Sequence, residues 1–199
     1  MPVVAESVLA AKREAILASA VVLFARQGYA ATEMEAIATA AGVAKGTLYR
    51  YFKNKEELFL AAVDRSFERL AEFVFESIVC LDEPVAIIRT SFRAIARFCH
   101  KNPMVMELLA EERSAFRDRP ARHLLHRNKN RPFFTEIVRR GIEQGIFREI
   151  DPNAVVQTLV FSLLTMVYIQ GAVAHEGGAH DHGDDHGHDH AHDHEAAHA

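Results

Sequence analysis

The spacing of apolar residues predicts helices along the chain as far as about residue 174, and no strand. Between positions 6 and 27, apolar residues recur three and four positions apart, with Ile16, Ala20 and Phe24 on one face, and Gly28 follows as a residue that ends helices. The same periodicity predicts short helices over 33–40 and 44–51 and a long helix that begins after Asn54. The pattern therefore predicts an all-α fold.

Proline, asparagine and glycine mark the ends of the later helices. Asn54 with Glu57 has the spacing of a capping box. Helix starts are predicted at Asp82–Pro84, Asn102–Pro103 and Asp151–Pro152, a proline kink at Pro132, and a helix end at Gly145. The chain from Asn54 to about Ala174 is thus predicted to be helical.

The two short helices form the most informative segment. Thr32 with Glu35 fits a capping box, and Gly42 stands where a tight turn between helices requires a positive φ angle. Leu48 and Phe52 continue an apolar face. This leaves exposed hydroxyl, aromatic and cationic side chains, namely Lys45, Thr47, Tyr49, Arg50 and Lys53. A helix carrying such groups suits a DNA major groove, so the segment predicts a helix-turn-helix.

The order of residues in this segment resembles the TetR (tetracycline-repressor-like) transcriptional regulators. The matching positions are Thr32, Ile37–Ala38, Ala41–Gly42–Val43, Gly46, Leu48–Tyr49, Tyr51–Phe52, Lys55 and Leu58, preceded by 12–16 and 24–29. Two positions depart from the family pattern: Ala44 replaces a frequent serine that would cap the recognition helix, and Tyr51 replaces a frequent histidine. The resemblance covers roughly the first 60 residues, and the remainder is similar in length and helical layout.

The resemblance implies an N-terminal three-helix helix-turn-helix DNA-binding domain over 1–53 and a C-terminal helical effector-binding and dimerisation domain over 54–174. It implies a cytoplasmic homodimer that represses transcription from a palindromic double-stranded DNA operator until an unidentified small-molecule effector releases it. The residues expected at the DNA are Thr32, Lys45, Gly46, Thr47, Leu48, Tyr49, Tyr51 and Lys55. Repression rather than activation follows from the resemblance alone.

An effector pocket is expected between helices of the second domain, mostly apolar with a few polar groups. The candidates are Phe98, His100, Met104, Met106, Phe133, Phe134 and Tyr168, each of which is also consistent with an ordinary core position or, for the histidine, a solvated one. A dense basic run lies nearby: Arg113, Arg117, Arg119, Arg122, Arg127, Lys129 and Arg131. A solvated charged helix is the favoured interpretation of this run, and an anionic effector such as an acyl thioester is the alternative.

Charge is distributed unevenly along the chain. The net charge is −4, but residues 175–199 hold seven acids and no Lys or Arg, so the first 174 residues carry 23 basic and 20 acidic side chains. Residues 1–55 carry seven basic and four acidic side chains. This excess is modest for DNA binding, so a basic patch must arise from the placement of the cations.

The final helix, predicted to run from Pro152 to about Ala174, contains no charged residue. Its length approaches that of a membrane span, but Gln157, Ser162 and Thr165 interrupt it and acids rather than cations follow it. A helix that is apolar nearly all round can instead be buried in a dimer interface, which is the interpretation favoured here over a membrane.

Two isolated cysteines, Cys80 and Cys99, do not make a disulfide framework, and no signal-peptide pattern is seen. A reducing cytoplasm is therefore expected. No phosphate-binding glycine loop, nucleophile-elbow motif or HExxH is present, which argues against an enzyme. No cofactor is required by this interpretation.

The tail, residues 175–199, contains nine of the twelve histidines and is predicted to be disordered without metal. Those at alternate or near-alternate positions are His180, His182, His186, His188, His190, His192 and His194. Imidazole with interspersed carboxylates suits Zn(II), Ni(II), Co(II) or Cu(II). Three roles remain open: metal buffering, metal sensing that changes operator affinity, and solubilisation. The rival to a DNA-binding regulator is a metal-binding and buffering protein.

Overall fold

The computed structural model describes residues 2–116, 130–159, 161, 162 and 165, with side chains described from residue 8 onward. Seven helices have defined bounds: α1 (Pro2–Ala31), α2 (Met34–Ala40), α3 (Lys45–Tyr51), α4 (Lys55–Ile78), α5 (Pro84–Lys101), α6 (Pro103–Ala115) and α7 (Arg131–Glu143). A further helical stretch covers 152–159. No strand occurs in these ranges, so the all-α prediction is confirmed.

Helix α1 is broken at Gly28, which has φ 78° and ψ 166°. This backbone conformation is almost exclusive to glycine. The sequence predicted a helix end at this residue, but the chain resumes helical geometry and continues to Ala31. Gly28 is therefore an interruption that redirects the last turn of α1.

Helices α2 and α3 are joined by a tight turn at Gly42, whose φ angle is 66°, as predicted. The Val43 amide donates to the Ala38 carbonyl across the turn at 3.0 Å. Beneath the turn, Ile37, Leu48 and Phe52 are buried at 0%, 0% and 2% exposure. The two helices are therefore held together by a shared apolar core, which orients the outer face of α3.

Several predicted helix ends are confirmed. The side chain of Asn54 accepts from the Glu57 amide at 2.8 Å, and Asp151 accepts from the Asn153 amide at 2.9 Å. Helix α7 ends before Gly145, whose φ angle is 69°. These ends follow directly from local side-chain chemistry.

Two other predicted features are wrong. Pro132 does not kink a helix: α7 begins at Arg131, so the proline lies in the first turn, where its missing amide would have no helical partner. The Asn102 side chain does not cap α6, because it donates to the Phe98 carbonyl at the end of α5 at 2.8 Å. In this second case, one asparagine serves the helix before it rather than the helix after it.

Two apolar clusters form the core. The larger joins α1–α4 to α5 and α6 through residues such as Phe24, Phe59, Phe98 and Leu108. The smaller, with Val74, Ile87 and Ile137, joins α4 and α5 to α7. The larger cluster crosses the domain boundary predicted near residue 53. The helix-turn-helix head, formed by α1, α2 and α3, therefore packs directly on the helices that follow it. No helix among the described residues is long and apolar enough to cross a membrane.

Candidate nucleic-acid interface

The outer face of α3 carries the side chains that the sequence assigned to DNA. Tyr49 is 41% exposed, and Lys45, Gly46 and Arg50 are exposed as well, while Thr47 is half-buried. A Cβ atom added at Gly46 would meet nothing within 4 Å, so the start of α3 is open. The N-cap residue is Ala44, and it makes no side-chain cap hydrogen bond, as its departure from the family pattern predicted.

Lys45 forms an ion pair with Glu35, which lies on α2. The hydrogen bond from Lys45 is the main cause that lowers the pKa of Glu35, and the same bond raises the pKa of Lys45. The Lys45 ammonium also lies 6.0 Å from the centre of the Tyr49 ring. The first residue of α3 is therefore placed between a carboxylate on the neighbouring helix and an aromatic ring on its own helix.

Cations in this region repeatedly lie over aromatic faces. The Arg13 guanidinium is 5.6 Å from the Phe52 ring, that of Arg50 is 5.8 Å from Tyr51, and the Lys55 ammonium is 4.9 Å from Tyr29. Such contacts are worth about 0.5–1 kcal/mol at exposed sites. They hold these long side chains against aromatic rings at the ends of α1 and α3.

Tyr51 and Lys55, both expected at the DNA, have partners within the protein. The Tyr51 hydroxyl donates to the Leu9 carbonyl at 3.1 Å, and the Lys55 ammonium donates to the Ala30 carbonyl at 2.9 Å. An ammonium has three donors, and a phenol oxygen can still accept, so these bonds leave further capacity at both groups. Their contact with phosphates stays a prediction.

Two residues that were expected to contact DNA have buried side chains, and this corrects the prediction. The Thr32 side chain is fully buried, and its hydroxyl donates to the Gly28 carbonyl at 2.7 Å, so it satisfies the broken turn of α1 instead of a phosphate. It is also not a cap, because the N-cap of α2 is Glu33. Leu48 is 0% exposed and belongs to the core, so it does not face a groove.

Glu35 is the site residue that sequence reasoning missed. The sequence assigned it to a capping box with Thr32, whereas its carboxylate pairs with Lys45, ten positions further along. No helical spacing signals such a pair, because it depends on how the turn at Gly42 folds α3 back beside α2. Arg50 and Lys53 were predicted to be available on the outer face, and both are exposed.

The predicted effector residues divide between the two core clusters. Phe98 and Met106 are buried in the larger cluster, whereas Phe134 packs against the smaller one and Phe133 is 38% exposed. Met104 is half-buried, and His100 is exposed at the end of α5. Tyr168 lies outside the described residues. Among the described candidates, the rings of Phe133 and Phe134 contact each other at 5.3 Å between centres, while Phe98 and Met106 lie in the larger cluster.

The candidate metal ligands of the tail, from His180 to His194, all lie outside the described residues. Within the described ranges, no group of three or more His, Cys, Asp or Glu side chains could hold a metal ion. Cys99 is buried, and this burial raises the pKa of its thiol, which disfavours the thiolate that metals require.

The geometry defines a helix-turn-helix: two short helices share one core, and the second presents an exposed aromatic and cationic face. Residues 16–62 match the family described as bacterial regulatory proteins, tetR family. The match covers the N-terminal part of the chain and agrees with the resemblance that the residue pattern predicted.

A known transcriptional repressor is also similar to part of this chain. The HTH-type transcriptional repressor KstR of Mycolicibacterium smegmatis is 32% identical over 98 residues, which cover 49% of this chain and 48% of that protein. The match therefore spans about half the length of that repressor.

Solved structures share the fold over most of the chain. The fatty acid degradation regulator FadR from Bacillus halodurans superimposes with a TM-score of 0.70 at 22% identity, covering 85% of this chain and 87% of that one. AibR in complex with isovaleryl coenzyme A and operator DNA gives a TM-score of 0.59 at 25% identity, covering 81% and 86%. The helical layout after the head is thus also that of known regulators.

Proposed function

We propose that this chain is a transcriptional repressor that binds a palindromic operator as a homodimer. The observation that carries the proposal is the division of α3 into two faces. Lys45, Tyr49 and Arg50 are exposed on its outer face, and Leu48 is fully buried on its inner face. A recognition helix needs this combination, because its inner face must fix its orientation while its outer face contacts bases and phosphates.

Dimerisation is proposed through α7 and the apolar segment that follows it. Phe133 is 38% exposed and Phe161 is 44% exposed in the single chain, and the sequence from 159 to 169 is nearly all apolar. Large apolar side chains that are exposed in the single chain are typical of surfaces that a partner covers. Two-fold symmetry of the protein then requires two operator half-sites about one DNA turn or slightly more apart.

The effector is proposed to be an acyl-coenzyme A thioester. The support is the isovaleryl coenzyme A bound to AibR and the fatty acid role named for the Bacillus halodurans regulator, both of which share this fold. Effector and operator affinities must be reciprocally coupled if both bias the same conformational equilibrium. Binding of the thioester therefore lowers operator affinity, and binding of the operator lowers affinity for the thioester.

The operator is tested by incubating the purified chain with sheared DNA from its source organism and sequencing the retained fragments. The expected result is one enriched palindrome, with affinity for it reduced by Tyr49→Phe across all sequences and by Lys45→Ala with a change in the preferred bases. A matched control is Lys101→Ala, an exposed cation at the end of α5, far along the chain from the head. No enriched sequence would contradict the proposal.

The effector is tested by adding isovaleryl, octanoyl or palmitoyl coenzyme A to the complex of protein and operator and following fluorescence anisotropy. Release by one or more thioesters, with no release by free coenzyme A, is the expected result. Free coenzyme A carries the same phosphates, so it separates recognition of the acyl group from simple competition between anions. Equal release by free coenzyme A would contradict an acyl-specific effector.

We also propose that the histidine tail binds divalent transition metals and buffers them without regulating DNA. The support is the sequence alone, which places nine of twelve histidines in 175–199 among seven acids. Equilibrium dialysis with Zn(II) is expected to give several equivalents for the full chain and fewer for a variant with all nine histidines changed to Gln. If Zn(II) changes operator affinity in the first protein and not the second, the tail is a sensor instead.

A further inference from the structure

An exposed carboxylate lies beside Lys45 on the surface proposed to meet DNA. Glu35 lies in the first turn of α2, and its carboxylate accepts from the ammonium of Lys45 at the start of α3. About half of the Glu35 side chain and 60% of the Lys45 side chain are accessible. The pair therefore lies at the surface, where an ion pair contributes little to folding stability.

The position of this acid is unfavourable for simple attraction to DNA. A negative charge beside a groove repels phosphates and removes one of the few cations of the head from non-specific contacts. Favourable interaction with the helix dipole of α2 is one explanation for an acid at this position. Glu33 is two residues earlier, at the N-cap, and would serve that purpose without pairing with Lys45. The dipole therefore does not explain the contact with Lys45.

We propose that Glu35 is a positioning residue that holds Lys45 for base recognition and prevents it from binding phosphates indiscriminately. A free lysine is a flexible point charge that can reach any nearby phosphate, and such contacts carry no sequence information. Held between Glu35 and the Tyr49 ring, the ammonium stays at the N-terminal end of α3, where recognition helices contact base edges. A lysine there can donate to O6 and N7 of guanine.

The proposal rests on the proposed function, because it requires α3 to meet an operator. Its consequence is that Glu35 lowers affinity for DNA in general and increases discrimination. The ion pair between Glu35 and Lys45 lowers affinity for DNA of any sequence, while the ammonium held in place keeps its contact at the operator. Sequence discrimination by this head therefore depends on an acid, although the partner is a polyanion.

The test compares Glu35→Gln with Glu33→Gln, each in the wild-type and Lys45→Ala backgrounds. Both changes remove one negative charge from α2, but only the first releases Lys45. Affinity is measured by fluorescence anisotropy for the operator recovered above and for a shuffled duplex of the same composition, across a range of salt concentrations. Urea denaturation of each variant checks that the fold is retained.

Glu35→Gln is expected to lower the ratio of operator to shuffled-duplex affinity about tenfold, the size of one base contact. The slope of log affinity against log salt on the shuffled duplex should steepen by about one, because one further phosphate is neutralised. Glu33→Gln should change both affinities by the same factor. In the Lys45→Ala background the two glutamine variants should behave alike.

An unchanged affinity ratio in Glu35→Gln would overturn the proposal, and so would an equal effect with Lys45 absent, since Glu35 would then contact DNA directly. A wild-type protein that binds no operator would contradict the proposed function instead. The two failures are therefore distinguishable.

Discussion

Glu111 on α6 accepts a hydrogen bond of 2.6 Å from the backbone amide of Tyr29, at the point where α1 is interrupted. The same carboxylate would lie 3.3 Å from a Cβ atom placed on Gly28. The Tyr29 ring in turn contacts Phe59 and Phe116 at 5.1 and 5.2 Å between centres. A residue of the predicted effector domain thus accepts a hydrogen bond from the backbone of α1 just after the break at Gly28.

Changing Glu111 to Gln is expected to lower the free energy of unfolding by about 1–2 kcal/mol, because a charge-assisted bond to a partly buried amide is replaced by a neutral one. Urea denaturation measures the loss. Glu107→Gln, one turn earlier on α6, is the matched control and should change stability by less than about 0.5 kcal/mol. Equal losses of unfolding free energy in the two variants would show that Glu111 does not stabilise the fold through its hydrogen bond with Tyr29.

The two glycines Gly28 and Gly46 should respond in opposite directions to substitution by alanine. Gly28 has a φ angle of 78° and faces Glu111, so Gly28→Ala is expected to cost about 1–3 kcal/mol. Gly46 lies in helix α3 with open space around it, so Gly46→Ala is expected to be neutral or to stabilise by up to about 1 kcal/mol. Thermal unfolding of both variants tests the contrast. A Gly28→Ala protein as stable as the wild type would contradict the broken geometry of α1.

Local patterns predicted the features that local chemistry determines. The turn at Gly42, the cap at Asn54 and the end of α7 at Gly145 each depend on residues within one helical turn, and each is present. The assignment of Thr32 to a capping box was wrong, because its hydroxyl instead donates to the carbonyl of Gly28, where α1 is interrupted. The sequence signal for a capping box was the same in either case.

Helical periodicity could not predict contacts between residues on separate helices. Tyr29 and Glu111 are 82 positions apart, and Lys45 and Glu35 are brought together only by the packing of α3 beside α2. The exposure of Tyr49 agrees with the prediction from helical spacing, and its contact with DNA stays a prediction. Leu48 was expected at the DNA from the family resemblance, although its spacing already placed it on the apolar face where it is buried. Helical spacing assigns a face, but it cannot say which face a tertiary contact covers.

The two cysteines should differ in reactivity. Cys80 is exposed, whereas Cys99 is buried and its thiol pKa is raised, so at pH 8 a smaller fraction of it is the reactive thiolate. Titration with a disulfide reagent is expected to show one fast thiol per chain, lost in Cys80→Ser and kept in Cys99→Ser. The second should react at the fast rate once urea unfolds the chain. A fast thiol in native Cys80→Ser would show that Cys99 is accessible.

Arg65 on α4 joins the first helix to the fourth. Its Nε donates to Glu14 of α1 at 2.9 Å and its Nη1 to Glu72 at 2.9 Å, and Glu14 is the main cause that raises the pKa of the guanidinium. Arginine suits this position because its planar group directs several donors at once, whereas lysine offers one ammonium. Arg65→Lys is therefore expected to lower the free energy of unfolding by about 1 kcal/mol.

The matched control is Arg69→Lys, because Arg69 is exposed one turn further along α4 and should tolerate the change. Salt provides the second criterion: the Arg65→Lys loss should shrink in about 1 M sodium chloride, where the Debye length falls to about 3 Å. A double-mutant cycle with Glu14→Gln isolates the contact between the helices and should give a coupling of about 0.5–1 kcal/mol. A loss that is independent of salt, with no coupling to Glu14, would mean that Arg65 acts through the packing of its aliphatic stem rather than through its charge.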